Sequence, residues 1–246
     1  MKRIEIDAKN LHYRDLNDQI HQALGHGAKE ILLRNVNGQR YIGNGIRGNL
    51  KISIEGVPGN DLAAFMDGPS IVVNSNAQDA VGNTMNSGKV VIHGHAGDVL
   101  GYGMRGGKLF IQGDVGYRVG IHMKAFKKHI PVIIIGGTAR DFLGEYQAGG
   151  VIILLGLDRD GKPFVGNYIG TGMHGGVIYI RGEVDPFQLG KEVSISPIDE
   201  IDEKRLRLYL KEYCDEFGLS IDEVMRDQFI KLLPTHLRPY GKIYAY

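Results

Sequence analysis

The chain has 246 residues, 43% of them hydrophobic and 23% charged, with a formal net charge of +1. That length supports one large domain or two small ones, and the near-neutral balance gives no field to attract nucleic acid or an anionic membrane. No apolar run approaches the ~18 residues of a membrane span. The opening MKRIEIDAKN lacks the apolar stretch of an export signal. A single cysteine, Cys214, excludes an internal disulfide framework and a multi-cysteine metal site. A cytoplasmic location is expected.

In chain order, residues 2–7 read as a strand, 13–26 as an amphipathic helix carrying Leu16, Ile20 and Leu24, and 30–36 as a strand. Together residues 1–40 are expected to form a small α/β cap. From residue 41 to 184 a repeat takes over. Val90-Val91-Ile92-His93-Gly94 recurs 19 residues later as Leu109-Phe110-Ile111-Gln112-Gly113, and 19 residues earlier as Ile71-Val72-Val73-Asn74-Ser75. Val132 to Gly136 and Ile152 to Gly156 continue the pattern after a short insertion. Gly170 to Gly176 mirrors Gly101 to Gly107.

The chain also holds 36 glycines, about twice the usual share. Glycine costs backbone entropy, so this many are kept only where tight turns or close backbone approach require them. Short β-branched strands bounded by glycine, repeating about every 19 residues, predict a parallel β-helix of about seven coils. Each coil runs once around and rises by one strand spacing, and stacking buries a column of Val, Ile and Leu.

The tail, 185–246, is expected to be helical. Leu206, Tyr209, Leu210, Tyr213 and Phe217 follow helical spacing, with Gly218 as the stop. Ser220 and Glu223 read as a capping box opening a second helix through Met225, Phe229 and Leu232, ended by Pro234.

Several motifs invite chemistry. G-x-G-x-x-G occurs from Gly43, Gly101 and Gly170, but a dinucleotide fingerprint needs a helix directly after it. Here strand sequence follows each copy, so the glycines read as solenoid corners. His93-Gly94-His95 offers two imidazoles but no recognisable third ligand, and reads as turn histidines. His122, Lys124, Lys127, Lys128 and His129 form a basic insertion: a solvated loop, or alternatively a docking or anion site. Arg47, Arg105 and His174 fall at equivalent corners, expected to lie on a solvated edge because intervening coils separate them. Cys214 has no base partner and reads as structural. No catalytic, cofactor-binding or metal-binding residue is assigned.

The segments Tyr41 to Gly56, Val81 to Gly113 and Gly170 to Gly182 resemble the GXGXG domain at the C-terminal end of the glutamate synthase large subunit, which implies a right-handed parallel β-helix. The tail extends the resemblance: the acidic run Ile198 to Glu203, the helix Leu206 to Phe217, Gly218, and Phe229-Ile230-Lys231-Leu232-Leu233-Pro234 as F-x-K-x-x-P. The resemblance implies a stand-alone, accessory version of the domain with no catalytic residue or cofactor of its own. It would bridge a glutaminase-like subunit and a synthase subunit carrying FMN and iron–sulfur clusters, in glutamate biosynthesis and nitrogen metabolism. The alternative it implies is a component like the accessory β-helix subunit of formylmethanofuran dehydrogenase. A β-helical carbohydrate-active enzyme is a second alternative by analogy of fold.

Overall fold

The computed structural model describes residues 2–157 and 164–236. Among the described residues the protein is mainly β, an 11-stranded sheet wound as a parallel β-helix. Strands β1 (Arg3–Asp7), β2 (Glu30–Asn37), β3 (Lys51–Val57), β4 (Asp67–Val73) and β5 (Ser87–Ile92) lie side by side. They are followed in order by β6 (Lys108–Ile111), β7 (Val132–Ile135), β8 (Ala148–Leu154) and β9 (Gly175–Arg181). All nine pair in parallel, and the sheet continues unbroken from β1 into the coils.

The predicted period is the rung spacing. Ile52 pairs with Ile71, Ile71 with Val90 and Val90 with Leu109, each one repeat apart. The insertion lengthens the next step, Leu109 to Ile133, before Ile133 pairs with Ile152 at the regular spacing. Alternate strand residues point inward, where Ile52, Ile71, Val90, Leu109, Ile133, Ile152 and Ile178 are fully buried in one column.

The corner glycines follow from this column. Gly43, Gly82, Gly101, Gly120, Gly144 and Gly170 all adopt left-handed backbone. A Cβ on Gly101 would meet Ile133 Cδ1 at 2.5 Å, and one on Gly120 would meet Ile152 Cδ1 at 2.6 Å. Each corner thus receives the aliphatic side chain of the following coil. Ala63 takes this corner in one coil, at φ 61°, and the strand residue of its following coil is Val90, which has no δ-carbon.

A second buried column was not anticipated. Met66, Met85, Met104, Met123 and Met173 are stacked at successive corners, with Gln147 occupying the equivalent position in the coil between Met123 and Met173. On the outside, side chains of one coil cap backbone N–H groups of the next. Asp79 Oδ1 accepts from Asp98 N at 2.9 Å, and Asp98 Oδ1 accepts from Tyr117 N at 2.9 Å.

The two longer helices pack on different parts of the column. Helix α1 (Tyr13–Gly25) sits in the β1–β2 crossover and buries Leu16, Ile20 and Ala23 against the column. Helix α2 (Glu200–Phe217) covers the outward face of the later strands, burying Leu206, Leu210, Tyr213 and Cys214 against Val91, Phe110, Ile134, Ile153 and Tyr179. It ends as predicted at Gly218, which is left-handed at φ 67°.

The tail departs from expectation beyond that point. Ser220 caps helix α3, but α3 spans only Ile221–Val224. Phe229–Pro234 is strand β11, not helix, and pairs antiparallel with β9. Strand β10 (Val193–Ser196) pairs with β11 in turn. The physical reason is the open edge of β9: its unpaired backbone groups take a strand. Residues 237–246 of the expected tail lie outside the described residues. No described helix is long and apolar enough to cross a membrane.

Candidate functional site

The tail builds a buried polar latch. Asp199 caps α2 by accepting from the backbone N of Ile201 and Asp202, and Asp202 returns the contact to Asp199 N, a reciprocal capping box. That fixes Asp202 on the buried side, its side chain only 5% exposed, where it pairs with Lys231 from β11. Tyr179 on β9 donates its hydroxyl to Asp202 Oδ1 at 2.6 Å. The acidic run and the lysine of F-x-K-x-x-P, far apart in the sequence, are therefore one contact.

The latch shifts its members' ionisation. Burial alone would raise the Asp202 carboxyl, but donation from Lys231 and Tyr179 holds it below its ordinary value. Lys231 is raised by its bond to Asp202. Burial, reinforced by Asp202, pushes Tyr179 up to about 12. The latch ties helix α2 to β9 and β11, which is a structural role.

The turn side of the coils carries a groove of about 610 Å³. Arg47, Asp67, Asn86, Arg105 and Lys124 contribute one residue per successive coil. The basic insertion supplies its wall: Phe126 and His129 exchange backbone bonds at 3.0 and 2.9 Å, folding the segment back so that His129 and Phe126 line the same space. Arg47 and Arg105, expected on a solvated edge, line this groove with two coils between them, and Lys124 and His129 stand at the Arg105 end. His174 is not among its lining residues, and its Nδ1 lies 3.1 Å from Gly172 O.

The remaining candidates resolve into structure. None of the three glycine motifs is followed by a helix; β3, β6 and β9 come next. His93 packs edge-on against Phe217, while His95 Nδ1 accepts from Asp114 N at 2.8 Å as a rung of the side-chain ladder. Cys214 is buried, and burial raises its thiol above the ordinary value, with Asp215 adding to it. Among the described residues, no three His, Cys, Asp or Glu side chains converge as a metal site.

Sequence reasoning missed an exposed aromatic surface. His122 stacks on Tyr146 at 5.2 Å and meets Tyr102 edge-on, while Phe142 stacks on Tyr168 beneath the Arg118 guanidinium. Tyr102, Tyr146 and Tyr168 are 42–55% exposed. Aligning the coil corners, rather than the strands alone, would have brought these rings together.

The model of the GXGXG motif family matches residues 27–239. The chain belongs to the GXGXG family. An uncharacterized protein of Methanocaldococcus jannaschii is 50% identical over all of this chain and 97% of its own length. Ferredoxin-dependent glutamate synthase 2 of Synechocystis is 33% identical over 154 residues, 59% of this chain. This GXGXG chain matches only 9% of that much longer protein. In solved structures, the fold is shared with a chain of the formyltransferase/hydrolase complex of Methylorubrum extorquens, crystallised with methylofuran. That superposition has a TM-score of 0.62, at 19% identity over 88% of this chain and 85% of the other.

Proposed function

We propose that this GXGXG protein is a non-catalytic scaffold subunit of a glutamate synthase-type complex. In this reading it bridges a glutaminase-like subunit and a synthase subunit that carries FMN and iron–sulfur clusters, for glutamine-dependent glutamate formation. The observation that carries the reading is the match to ferredoxin-dependent glutamate synthase across 154 residues. The form suits such a role, because a stiff column holds two partners at fixed separation. Each coil is locked to its neighbours by backbone bonds and close-packed corners. The exposed rings of Tyr102, Tyr146 and Tyr168 are the residue type that anchors protein interfaces.

A second reading, an accessory component like the β-helix subunit of formylmethanofuran dehydrogenase, is favoured by the fold shared with the formyltransferase/hydrolase complex chain. Purification of the tagged chain from its own cells, with cofactor analysis of what accompanies it, separates the two. Co-purification of flavin and glutaminase activity supports the first. A pterin–metal partner selects the second, and glutamine-dependent turnover that survives complete removal of the chain sinks the bridging role.

A further inference from the structure

We propose that the turn-side groove is a binding site for an elongated small polyanion, carrying carboxylate or phosphate groups at more than one point. This does not rest on the scaffold reading.

Arg105 and Lys124 stand on consecutive rungs, locked by the bond from Lys124 N to Met104 O at 2.9 Å. Rungs are about 4.8 Å apart, and both residues line the groove, so they stand at the same end of it. His129, returned by the insertion, lies over the same end: a Cβ on Gly106 would stand 3.4 Å from His129 Cβ. Arg47, three rungs away from Arg105, marks the other end, about 14 Å distant along the backbone. Two separated poles of positive charge suit a ligand with two anionic ends better than a single ion.

The charge balance points the same way. The two guanidiniums, Arg47 and Arg105, share the groove with one carboxylate, Asp67, and Asp67 Oδ1 already accepts from the Ser87 hydroxyl at 2.6 Å. Among the described residues, neither Arg47 nor Arg105 has a carboxylate within ion-pair distance. Lys89, by contrast, is paired with Glu216 of α2, and Arg34 with Glu5 and Glu55 on the neighbouring strands. A concave surface with an excess of charge of one sign concentrates the field and draws in counter-charge. Guanidinium forks match carboxylate and phosphate oxygens in planar, two-point fashion. The Asn86 amide in mid-groove supplies a neutral donor between the poles. A volume of about 610 Å³ falls in the range of small-molecule sites.

The test is calorimetric titration of the full-length chain with a linear inorganic hexaphosphate and, separately, with dodecanedioate, each long enough to reach both poles, which distinguish phosphate from carboxylate preference. One saturable site is expected for at least one of them. Affinity should fall tenfold or more in the double variant R105Q/K124Q and about threefold in R47Q, and remain unchanged in K204Q on α2. A second measurement needs no variant: phenylglyoxal labelling of the native chain, read by mass spectrometry. The bound anion should protect Arg47 and Arg105 but not Arg14. Absence of saturable binding by either anion, uniform labelling with and without them, or binding only of an acidic peptide overturns the proposal.

Discussion

The backbone of Gly101 lies so close to Ile133 Cδ1 that a single methyl group on the glycine would stand 2.5 Å from it. The same relation recurs at Gly43 with Ile71, Gly120 with Ile152 and Gly144 with Ile178. The glycine is required twice over, for its φ of +69° and for the space its missing side chain leaves.

Gly101→Ala should therefore lose about 3 kcal/mol of stability, combining the left-handed backbone cost with overpacking. Ile133→Val removes the offending δ-carbon and alone costs about 1 kcal/mol. The double variant should be more stable than Gly101→Ala by itself, as Ala63 opposite Val90 already foreshadows. Denaturant unfolding of the four proteins gives the coupling energy, and strict additivity would refute the contact as its source.

The latch sets a prediction with pH. Lys231→Ala leaves the buried Asp202 carboxylate without its cation and should cost about 3 kcal/mol near neutral pH. Because the folded Asp202 carboxyl is held below its ordinary value, its contribution is present at neutral pH. It is lost as pH falls below about 4, through the folded value. Lys231, raised by Asp202, has the opposite sign: its contribution is complete below its ordinary value and disappears as pH rises through the folded one. Asp202→Asn should flatten the acid limb of a melting-temperature profile relative to the wild type.

Gln147 interrupts the methionine column. Its side-chain amide donates to Gly149 O and Gly150 O, but its Oε1 is buried with no hydrogen-bond partner among the described residues. Gln147→Met should restore the apolar column and raise stability by about 1 kcal/mol, since a buried unpaired carbonyl costs about 1–3 kcal/mol. A lower melting temperature would show that the two glycine carbonyls depend on the amide more than the column suffers from it.

The side-chain ladder offers a milder test. Asp98→Ala removes the acceptor for Tyr117 N and should cost about 1 kcal/mol, whereas Asp98→Asn should be close to neutral because the amide oxygen still accepts. Equal losses in the two would assign the effect to charge instead of capping.

Much of the column was legible because its physics is local and repeated. A 19-residue recurrence of β-branched residues leaves few alternatives to stacked coils, and the corner glycines show themselves by their register. What went unread depends on contacts between distant segments. Phe229 to Leu232 carries a spacing compatible with a helix, and only the open edge of β9 explains why it is a strand. The apolar stripe of α2 was visible, yet nothing in it named the outward faces of Val91, Phe110 and Ile134 as its seat. Arg47 and Arg105 were placed at matching corners, but their shared groove depends on how the insertion folds back to bring His129 alongside.

Helix α2 carries a consequence for how the molecule comes apart. Its first turn is fastened to β9 through Asp202 and Tyr179, while its last turn reaches β5, where Phe217 meets His93 and Glu216 meets Lys89. A plain solenoid can fray one coil at a time, since each touches only its neighbours. Here a single splint spans the later coils and makes them open together, leaving β1 to β3 outside its reach. Amide hydrogen exchange should accordingly show two tiers: slow, concerted opening from β5 to β9, and faster graded opening toward the first strands.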